Sequence, residues 1–317
     1  MKKLIIQRLL LGIVTLWLVS MLIFLGTELL PGDIASALLG QNGTPETIAA
    51  LRSQLGLDQP AAWRYLQWLG GVLHGDLGVS LANNEPVSAV LLPRLENTLF
   101  LAGYAAVVAI PLAMVLGIAS AIWRDSWFDR LANNLTLLSI SVPEFFVGYL
   151  LVMFFAIHFA WFPSLATVAP GVSFGQRLYT CTLPMLTLVL VVLAHMLRMT
   201  RASVGAVMSS SYIETALLKG LPKWRIVLSH ALPNALAPII NVIAFNLAYL
   251  IVGVILVEVV FVYPGVGQYM VDAVTRRDLP VVQACGLIFG GTYIILNMLA
   301  DLLAIWCNPR LRHARSS

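Results

Sequence analysis

Five ionisable side chains interrupt long apolar stretches of this sequence and are its first candidates for chemistry: Glu28, Glu144, His195, Glu258 and Asp301. If those stretches cross a membrane, a charged side chain at the centre of a span costs about 2.5–3.5 kcal/mol on insertion scales, so it invites a functional explanation. Such a carboxylate can line a solute pathway, carry protons or bond a neighbouring helix. We select Glu144, Glu258 and Asp301 as candidate solute-pathway residues.

Each of the five also has a structural alternative. Glu28 and Glu258 lie near the C-terminal ends of their stretches, where a carboxylate can reach interfacial water or a neighbouring helix. His195 and Asp301 suit interfacial or interhelical hydrogen bonds, since Asp301 shares a helical face with an asparagine one turn earlier. Glu144 directly follows a proline, and a carboxylate beside a proline kink can line a cavity, which makes it the leading pathway candidate.

Other residue patterns with known chemistry are missing from the sequence. It contains no G-x-x-x-x-G-K-[ST] phosphate-binding loop, and none of its lysines follows a glycine. Its three cysteines form no C-x-x-C pair and no cluster with histidine, which argues against a zinc site and a disulfide framework. We therefore expect this chain to hold no nucleotide, cofactor or metal and to have no catalytic residues.

The composition indicates the class of protein. Hydrophobic residues make up 59% of the 317 residues and charged residues only 11%, whereas a soluble domain carries about 25% charged residues. This excludes a soluble enzyme, a nucleic-acid-binding domain and a disordered chain. Crossing a hydrocarbon core takes about 20 helical residues. Six stretches meet that length and predict an all-α integral membrane protein with transmembrane helices at about 9–30, 99–122, 132–160, 181–200, 234–260 and 281–306.

The distribution of positive charge predicts how these spans are oriented. Thirteen of the 19 lysines and arginines lie in the N-terminal residues, in the 124–130 and 198–232 connections and in the C-terminal tail. Connections rich in lysine and arginine stay in the cytoplasm. We therefore expect both termini in the cytoplasm and the connections 31–97, 161–180 and 261–280 outside.

Two features of the spans and the outer connection follow from proline and its neighbours. The third stretch contains Pro143, which predicts a kink or a tilt. In the outer connection, Thr44 precedes a proline at the first helical position, which predicts a short helix that stops at Gly56. A second helix is predicted after Pro60, with an apolar stripe that suits either the membrane surface or packing on the outer ends of the spans.

The inner connection 198–232 is polar, basic and predicted to be helical. Ser211 is expected to cap a helix that ends with a left-handed glycine at Gly220, and Pro222 lies just beyond that glycine. The segment carries too few apolar residues to form a core of its own. It suits either a helix that docks on another protein or a solvated loop.

The residues of this connection resemble the EAA signature of the membrane subunits of ABC importers. That signature reads E-A-A, three residues, G, nine residues and I-x-L-P. Gly220 and Leu232-Pro233 fall at the same spacings after Glu214-Thr215-Ala216, while Thr215 replaces an alanine and His230 replaces the isoleucine.

Motifs over essentially the whole chain resemble the first, or B-type, permease of the dipeptide, oligopeptide and nickel family. They are LPGD at 30–33, QLGLD at 54–58, GDLGVS at 75–80, TRAS at 200–203, VEVVF at 257–261, YPGVG at 263–267, RDLPVVQ at 277–283 and NPR at 308–310.

The resemblance implies a type I ABC importer permease fold with a cytoplasmic coupling helix and a large outer loop. The chain would divide into 1–97, the first span with the periplasmic region, and 98–317, a five-helix core that includes the coupling loop 201–232. Its partners would be membrane lipid, a second, C-type permease, two ABC ATPase subunits that bind ATP and Mg²⁺, and a periplasmic or lipid-anchored solute-binding protein. The residues implied to couple to the ATPases are Glu214, Thr215, Ala216, Leu217, Gly220, Leu232 and Pro233.

The resemblance places the protein in a bacterial inner membrane but leaves its solute open among dipeptides, oligopeptides, glutathione, opines, nickel and metallophores. On the residues alone, two other classes are also open. A proton-coupled secondary transporter would use the intramembrane carboxylates as a relay, although the six stretches show no obvious repeat. A purely structural subunit would have no solute path. Neighbouring genes for an ATPase, a binding protein and a second permease would distinguish the importer from both.

Overall fold

The protein is described by a computed structural model over residues 2–29, 34–39, 43–169 and 171–307, a part of the chain that contains helices and no strand. This confirms the all-α prediction. Two stretches, Val152–His158 and Val227–Ala231, are π-helices that continue the α-helices before them without a break. In chain order the described helices are α1 (Lys2–Glu28), α2 (Ile34–Leu39), α3 (Pro45–Gln54), α4 (Ala61–Leu73), α5 (Val87–Ile122), α6 (Trp127–Ser141), α7 (Glu144–Leu151), α8 (Phe174–Thr180), α9 (Thr182–Met208), α10 (Ser211–Leu218), α11 (Lys223–Ile226), α12 (Leu232–Val260), α13 (Val266–Arg276) and α14 (Leu279–Cys307).

Five of these helices contain a segment long and apolar enough to cross a membrane. The segments are Ile6–Glu28, Val87–Ile122, Thr182–Met208, Pro238–Val260 and Leu279–Leu299. They correspond to five of the six predicted spans. The sixth candidate is a pair of helices rather than one helix, so the described chain has five spans, or six if that pair counts as one.

The third predicted span is broken at Pro143 into two helices that meet at an angle of 105°. Val142, at φ −98° and ψ 131°, ends α6, and Pro143, at φ −60° and ψ 139°, precedes α7. Proline disfavours helical backbone in the residue before it and has no N–H for the helical ladder. The kink predicted from this proline is therefore a full break in the helix.

The outer connection is shorter than the sequence predicted, because α5 starts at Val87 and runs through the first predicted residues of the second span. Val87 and Leu91 are fully buried, so packing on the bundle extends the helix outward. The predicted division of the chain at 97/98 falls inside this helix and stays a prediction. The short helix predicted after Thr44 is α3, and the Thr44 hydroxyl accepts a hydrogen bond from the Thr47 N–H as its cap.

Helix α9 lies in the middle of the bundle and packs on α5, α6, α7 and α12. Its core residues Leu188, Val192 and Met196 are almost fully buried. The facing stretch of α5 is rich in alanine, and a Cβ added to Gly117 would lie 2.8 Å from Thr200 Cβ on α9. Small side chains let membrane helices approach closely, and here they bring α5 against α9.

The connections separate to two ends of the bundle, in the grouping that the charge distribution predicts. At one end, the Tyr263 hydroxyl donates to Asn97 O at 2.9 Å and Arg177 Nη2 donates to Asn97 Oδ1 at 2.8 Å, which joins the three predicted outer connections. Burial raises the pKa of Tyr263, which keeps it a neutral donor. At the other end, Arg201 binds Asp129. Which end faces the cytoplasm stays a prediction.

Candidate functional site

Helix α10 is the helix that the EAA-like motif predicts, and it ends in a Schellman turn. Gly220 has φ +78°, its N–H donates to Leu217 O at 2.9 Å, and the Leu221 N–H donates to Ala216 O at 3.3 Å. This pair of hydrogen bonds satisfies the last carbonyls of a helix that stops at a left-handed residue. The left-handed glycine is confirmed. The N-cap is Ser210 rather than Ser211 and makes no side-chain capping bond, so that prediction was one residue late.

The segment α10–α11 is fixed to the end of the bundle by two isoleucines. Ile213 and Ile226 are fully buried in a cluster with Val204 of α9, Ala121 of α5 and Ile239 of α12. Large apolar side chains of the same segment are exposed, among them Leu218 (89%), Trp224 (57%), Tyr212 (46%) and Leu217 (43%). Exposed apolar patches of this kind mark surfaces that contact another protein or a membrane.

The other residues of the motif lie around this exposed surface. Glu214 and Thr215 are exposed, and Ala216 is half-buried against the isoleucine cluster. Leu232 is half-buried and Pro233 exposed at the start of α12, directly after the π-helix Val227–Ala231. Because Pro233 has no N–H to donate to the carbonyl four residues earlier, the wider π-helical turn accommodates the change of register there.

A second contact holds the segment to α12. The Asn234 side-chain N–H donates to the Tyr212 hydroxyl at 3.1 Å and to His230 O at 2.8 Å. Tyr212 lies at the start of α10 and Asn234 at the start of α12. This polar contact joins the start of α10 to α12, in addition to the buried isoleucines.

Glu144 lies at the first residue of α7, against the face of α12. A Cβ added to Gly253 would lie 3.3 Å from Glu144 Oε1, and the ring of Tyr249 borders the same glycine. Glu144 Oε1 is buried and has no hydrogen-bond partner among the described residues. A buried carboxylate oxygen without a protein partner calls for a ligand, a proton or water, or for another subunit.

Glu258 is completely buried and bonded only to the protein. Its Oε1 accepts from the Thr98 hydroxyl at 2.6 Å, and its Oε2 accepts from the Gly267 and Gln268 N–H groups at 2.7 and 3.2 Å. The carboxylate thus caps the N-terminus of α13, where a negative charge also complements the helix dipole. Glycine at 265 leaves room for it, since a Cβ there would overlap the carboxyl group. Both carboxylate oxygens therefore bond neighbouring helices, which is the interhelical alternative given for this residue.

The remaining ionisable candidates occupy different surroundings. Glu28 pairs with Arg64 of α4 near the end of its span, which is the structural alternative given above. His195 is exposed on α9. Asp301 lies on α14, but its side chain is outside the described part of the structure. The structure therefore does not bring Glu144, Glu258 and Asp301 together as one described site.

Two clusters of polar residues were not predicted. At the end of the bundle that holds Asn97, Asp278 accepts from the Ser80 hydroxyl and from the Leu81 N–H at 3.0 Å, so the GDLGVS and RDLP motifs bind each other. At the end that holds α10, the almost fully buried Asp129 accepts from Arg201 Nε and Nη2, each at 2.6 Å. Ser80, Asp278 and Arg201 lie in motifs that the sequence shows. Nothing in the sequence pairs them with their partners, because the bonded residues are 198 and 72 positions apart.

The long apolar helices define a multi-pass membrane protein, and the anchored segment α10–α11 gives one end of its bundle an exposed apolar surface. Comparison with known families identifies the family of membrane proteins to which the chain belongs. The chain belongs to the family described as Binding-protein-dependent transport system inner membrane component, whose model matches residues 113–313. The model of the family's N-terminal membrane component matches residues 1–102.

Relatives cover nearly the full chain. A Brucella abortus (strain 2308) protein, named as a peptide transport system permease, is 38% identical over 313 residues, which are 99% of this chain and 100% of the relative. Glutathione transport system permease protein GsiC of Salmonella paratyphi A is 38% identical over 309 residues, 98% of each chain. The chain is thus a permease subunit of an ABC importer, as its motifs predicted. These relatives give no support to proton-coupled transport.

Proposed function

We propose that this chain forms, with a second C-type permease in a bacterial inner membrane, the translocation path for a peptide-like solute. The names of the relatives support peptides or glutathione as the solute class. A periplasmic or lipid-anchored binding protein delivers the solute, and both termini face the cytoplasm, as the charge distribution predicts. The observation that carries the proposal is the exposed apolar surface of α10–α11 on a segment anchored to three spanning helices.

In the proposed mechanism, two ATPase subunits bind ATP and Mg²⁺ and dock on α10. Closure of the ATPases displaces α10 only through contacts that differ between the two states. Ile213 and Ile226 carry that displacement to α5, α9 and α12, because all three helices contribute to the same buried cluster. A well-packed cluster moves as a unit rather than deforming. The chain itself supplies no phosphate-binding loop and performs no hydrolysis.

The experiment that tests this function is uptake by the reconstituted importer. We expect this chain to copurify with a second permease and two ATPase subunits, and the assembly in liposomes to accumulate labelled dipeptide or glutathione only with ATP and the binding protein. The purified chain alone is expected to hydrolyse no ATP. Hydrolysis by the isolated chain, or uptake that follows a proton gradient without ATP, would contradict the proposal.

Glu144 is the residue we place in the proposed solute path. It lies at the break between α6 and α7, its carboxylate rests on the glycine face of α12, and one oxygen is buried without a protein partner. A peptide-like solute with a free amino group offers a cation for this oxygen. Glu258 and Asp301 stay predictions for the path: both carboxylate oxygens of Glu258 accept hydrogen bonds from the protein, and the side chain of Asp301 lies outside the described part of the structure.

Glu144→Gln is expected to raise the solute concentration needed for half-maximal uptake by about tenfold or more, since a hydrogen bond to a charged group contributes about 1.5–3 kcal/mol. Glutamine is the substitution of choice because its amide keeps the shape of the side chain and removes the charge. Uptake by liposomes at a series of solute concentrations measures this value, and size-exclusion chromatography checks that the variant complex assembles. Glu28→Gln is the matched control, because Glu28 pairs with Arg64 away from this face. Equal uptake by both variants would remove Glu144 from the path.

A further inference from the structure

A hollow at the same end of the bundle as α10 is lined by three cationic side chains. Arg124 follows the end of α5, Arg201 lies on α9, and Lys223 begins α11. Small residues, among them Gly205 and Ala206, line the α9 side of the hollow. Its volume of about 480 Å³ falls within the range of about 300–1,000 Å³ typical of small-molecule sites.

Only part of this positive charge is neutralised by the protein. Arg201 is held by the buried Asp129 in a bidentate ion pair. Among the residues that the structure describes, Arg124 forms an ion pair with its neighbour Asp125, at 3.9 Å, and both of those side chains are largely exposed. Lys223 adds a third cation. The hollow therefore has an excess of positive charge that attracts an anion.

The surroundings of the hollow indicate what kind of anion it suits. A second, almost wholly apolar hollow of about 300 Å³ lies between α5, α6 and α9, and Leu197 and Leu116 line it. Leu197 lies one helical turn before Arg201 on the same face of α9. The cationic hollow thus lies at the end of the spans, with an apolar hollow one turn deeper. A phospholipid, with an anionic headgroup and apolar acyl chains, matches these two hollows better than a free anion does.

We propose that the cationic hollow binds the phosphate headgroup of an anionic phospholipid, with an acyl chain in the neighbouring apolar hollow. Basic sites between spanning helices at the membrane surface bind such headgroups. Lys223 is three residues from Ile226, which anchors the α10–α11 segment. The bound lipid would brace this segment against α5 and α9, a role that goes beyond solute translocation and does not depend on the identity of the solute.

Native mass spectrometry of the purified importer complex tests the site, with phosphatidylglycerol and phosphatidylcholine titrated in parallel. We expect the complex to retain phosphatidylglycerol preferentially. Glycerol phosphate, which carries the headgroup chemistry without acyl chains, is expected not to displace it at equal concentration. Displacement by glycerol phosphate would assign the hollow to a free anion and overturn the lipid proposal.

Arg124→Gln and Lys223→Gln are the variants, because both side chains are exposed and neither holds the buried Asp129. Each lost cation is expected to weaken phosphatidylglycerol binding about fivefold, and the double variant about 25-fold. Arg130→Gln removes an exposed cation of α6 that does not line the hollow, and is expected to bind as the wild type does. Thermal unfolding of each complex checks that the variants fold.

Two further results would overturn the proposal. The first is equal retention of phosphatidylglycerol by the wild type, the double variant and Arg130→Gln. The second is loss of the ATPase subunits from the double variant while its phosphatidylglycerol binding is unchanged, which would assign the hollow to the ATPase contact. Solute uptake is not used as the readout, so failure of the lipid site is distinguishable from failure of the proposed transport function.

Discussion

Gly220→Leu is expected to abolish solute uptake while the bundle still inserts and folds. Gly220 has φ +78°, and a left-handed backbone costs a residue with a Cβ about 1–2 kcal/mol. Release of that strain would break the hydrogen bond from the Leu221 N–H to Ala216 O and displace the end of α10. Because α10 carries the exposed apolar surface, the ATPase contact would be lost. Uptake and solute-stimulated ATP hydrolysis by the reconstituted complex measure the effect.

A graded series separates this effect from a general loss of stability. Gly220→Asn is expected to be much milder, since asparagine tolerates left-handed backbone. Gly175→Leu, in α8 at the other end of the bundle, is expected to be neutral, because a Cβ there meets nothing within 4 Å. Ala216→Arg is expected to act like Gly220→Leu, since it adds a long cation beside the isoleucine cluster. Normal uptake and normal stimulated hydrolysis in both Gly220→Leu and Ala216→Arg would refute the coupling role of α10.

Glu258→Ala is expected to destabilise the permease more than any other single carboxylate substitution considered for it. The substitution removes the acceptor of the buried Gly267 N–H and of the half-buried Gln268 N–H. An orphaned buried donor costs about 1–3 kcal/mol, so the two together cost about 2–6 kcal/mol. The Thr98 hydroxyl loses its acceptor as well. Thermal unfolding of the purified complex, followed by fluorescence, is the measurement.

Two variants test whether capping of α13 is the cause. Glu258→Gln keeps one oxygen acceptor and the shape of the side chain, so it is expected to lose much less stability. Gly265→Ala is expected to be as damaging as Glu258→Ala, because its Cβ would overlap the carboxyl group. Glu28→Gln is the control, since its partner Arg64 is near the surface and such pairs contribute about 0–1 kcal/mol. An unfolding temperature of Glu258→Ala equal to that of the wild type would refute the capping role.

The sequence by itself determined the features that depend on neighbouring residues. Apolar length predicted the spanning helices, the glycine at 220 predicted the left-handed end of α10, and Pro143 predicted a disturbance of the third span. Charge in the connections predicted which of them share an end of the bundle. These predictions follow from the local backbone or from the transfer of side chains between water and hydrocarbon, and they require no knowledge of distant partners. The family was predicted by resemblance, from the spacing of Glu214, Gly220 and Pro233 together with motifs along the whole chain.

Only the tertiary structure decided what the buried polar groups do. Glu258 was predicted as a pathway residue, yet its carboxylate caps α13 and accepts from Thr98, which is 160 residues away in the chain. Asp129 lies outside the motifs and Arg201 lies in TRAS, yet the two side chains form one ion pair. A carboxylate in an apolar stretch must find donors somewhere, and periodicity along one helix cannot say which other helix supplies them.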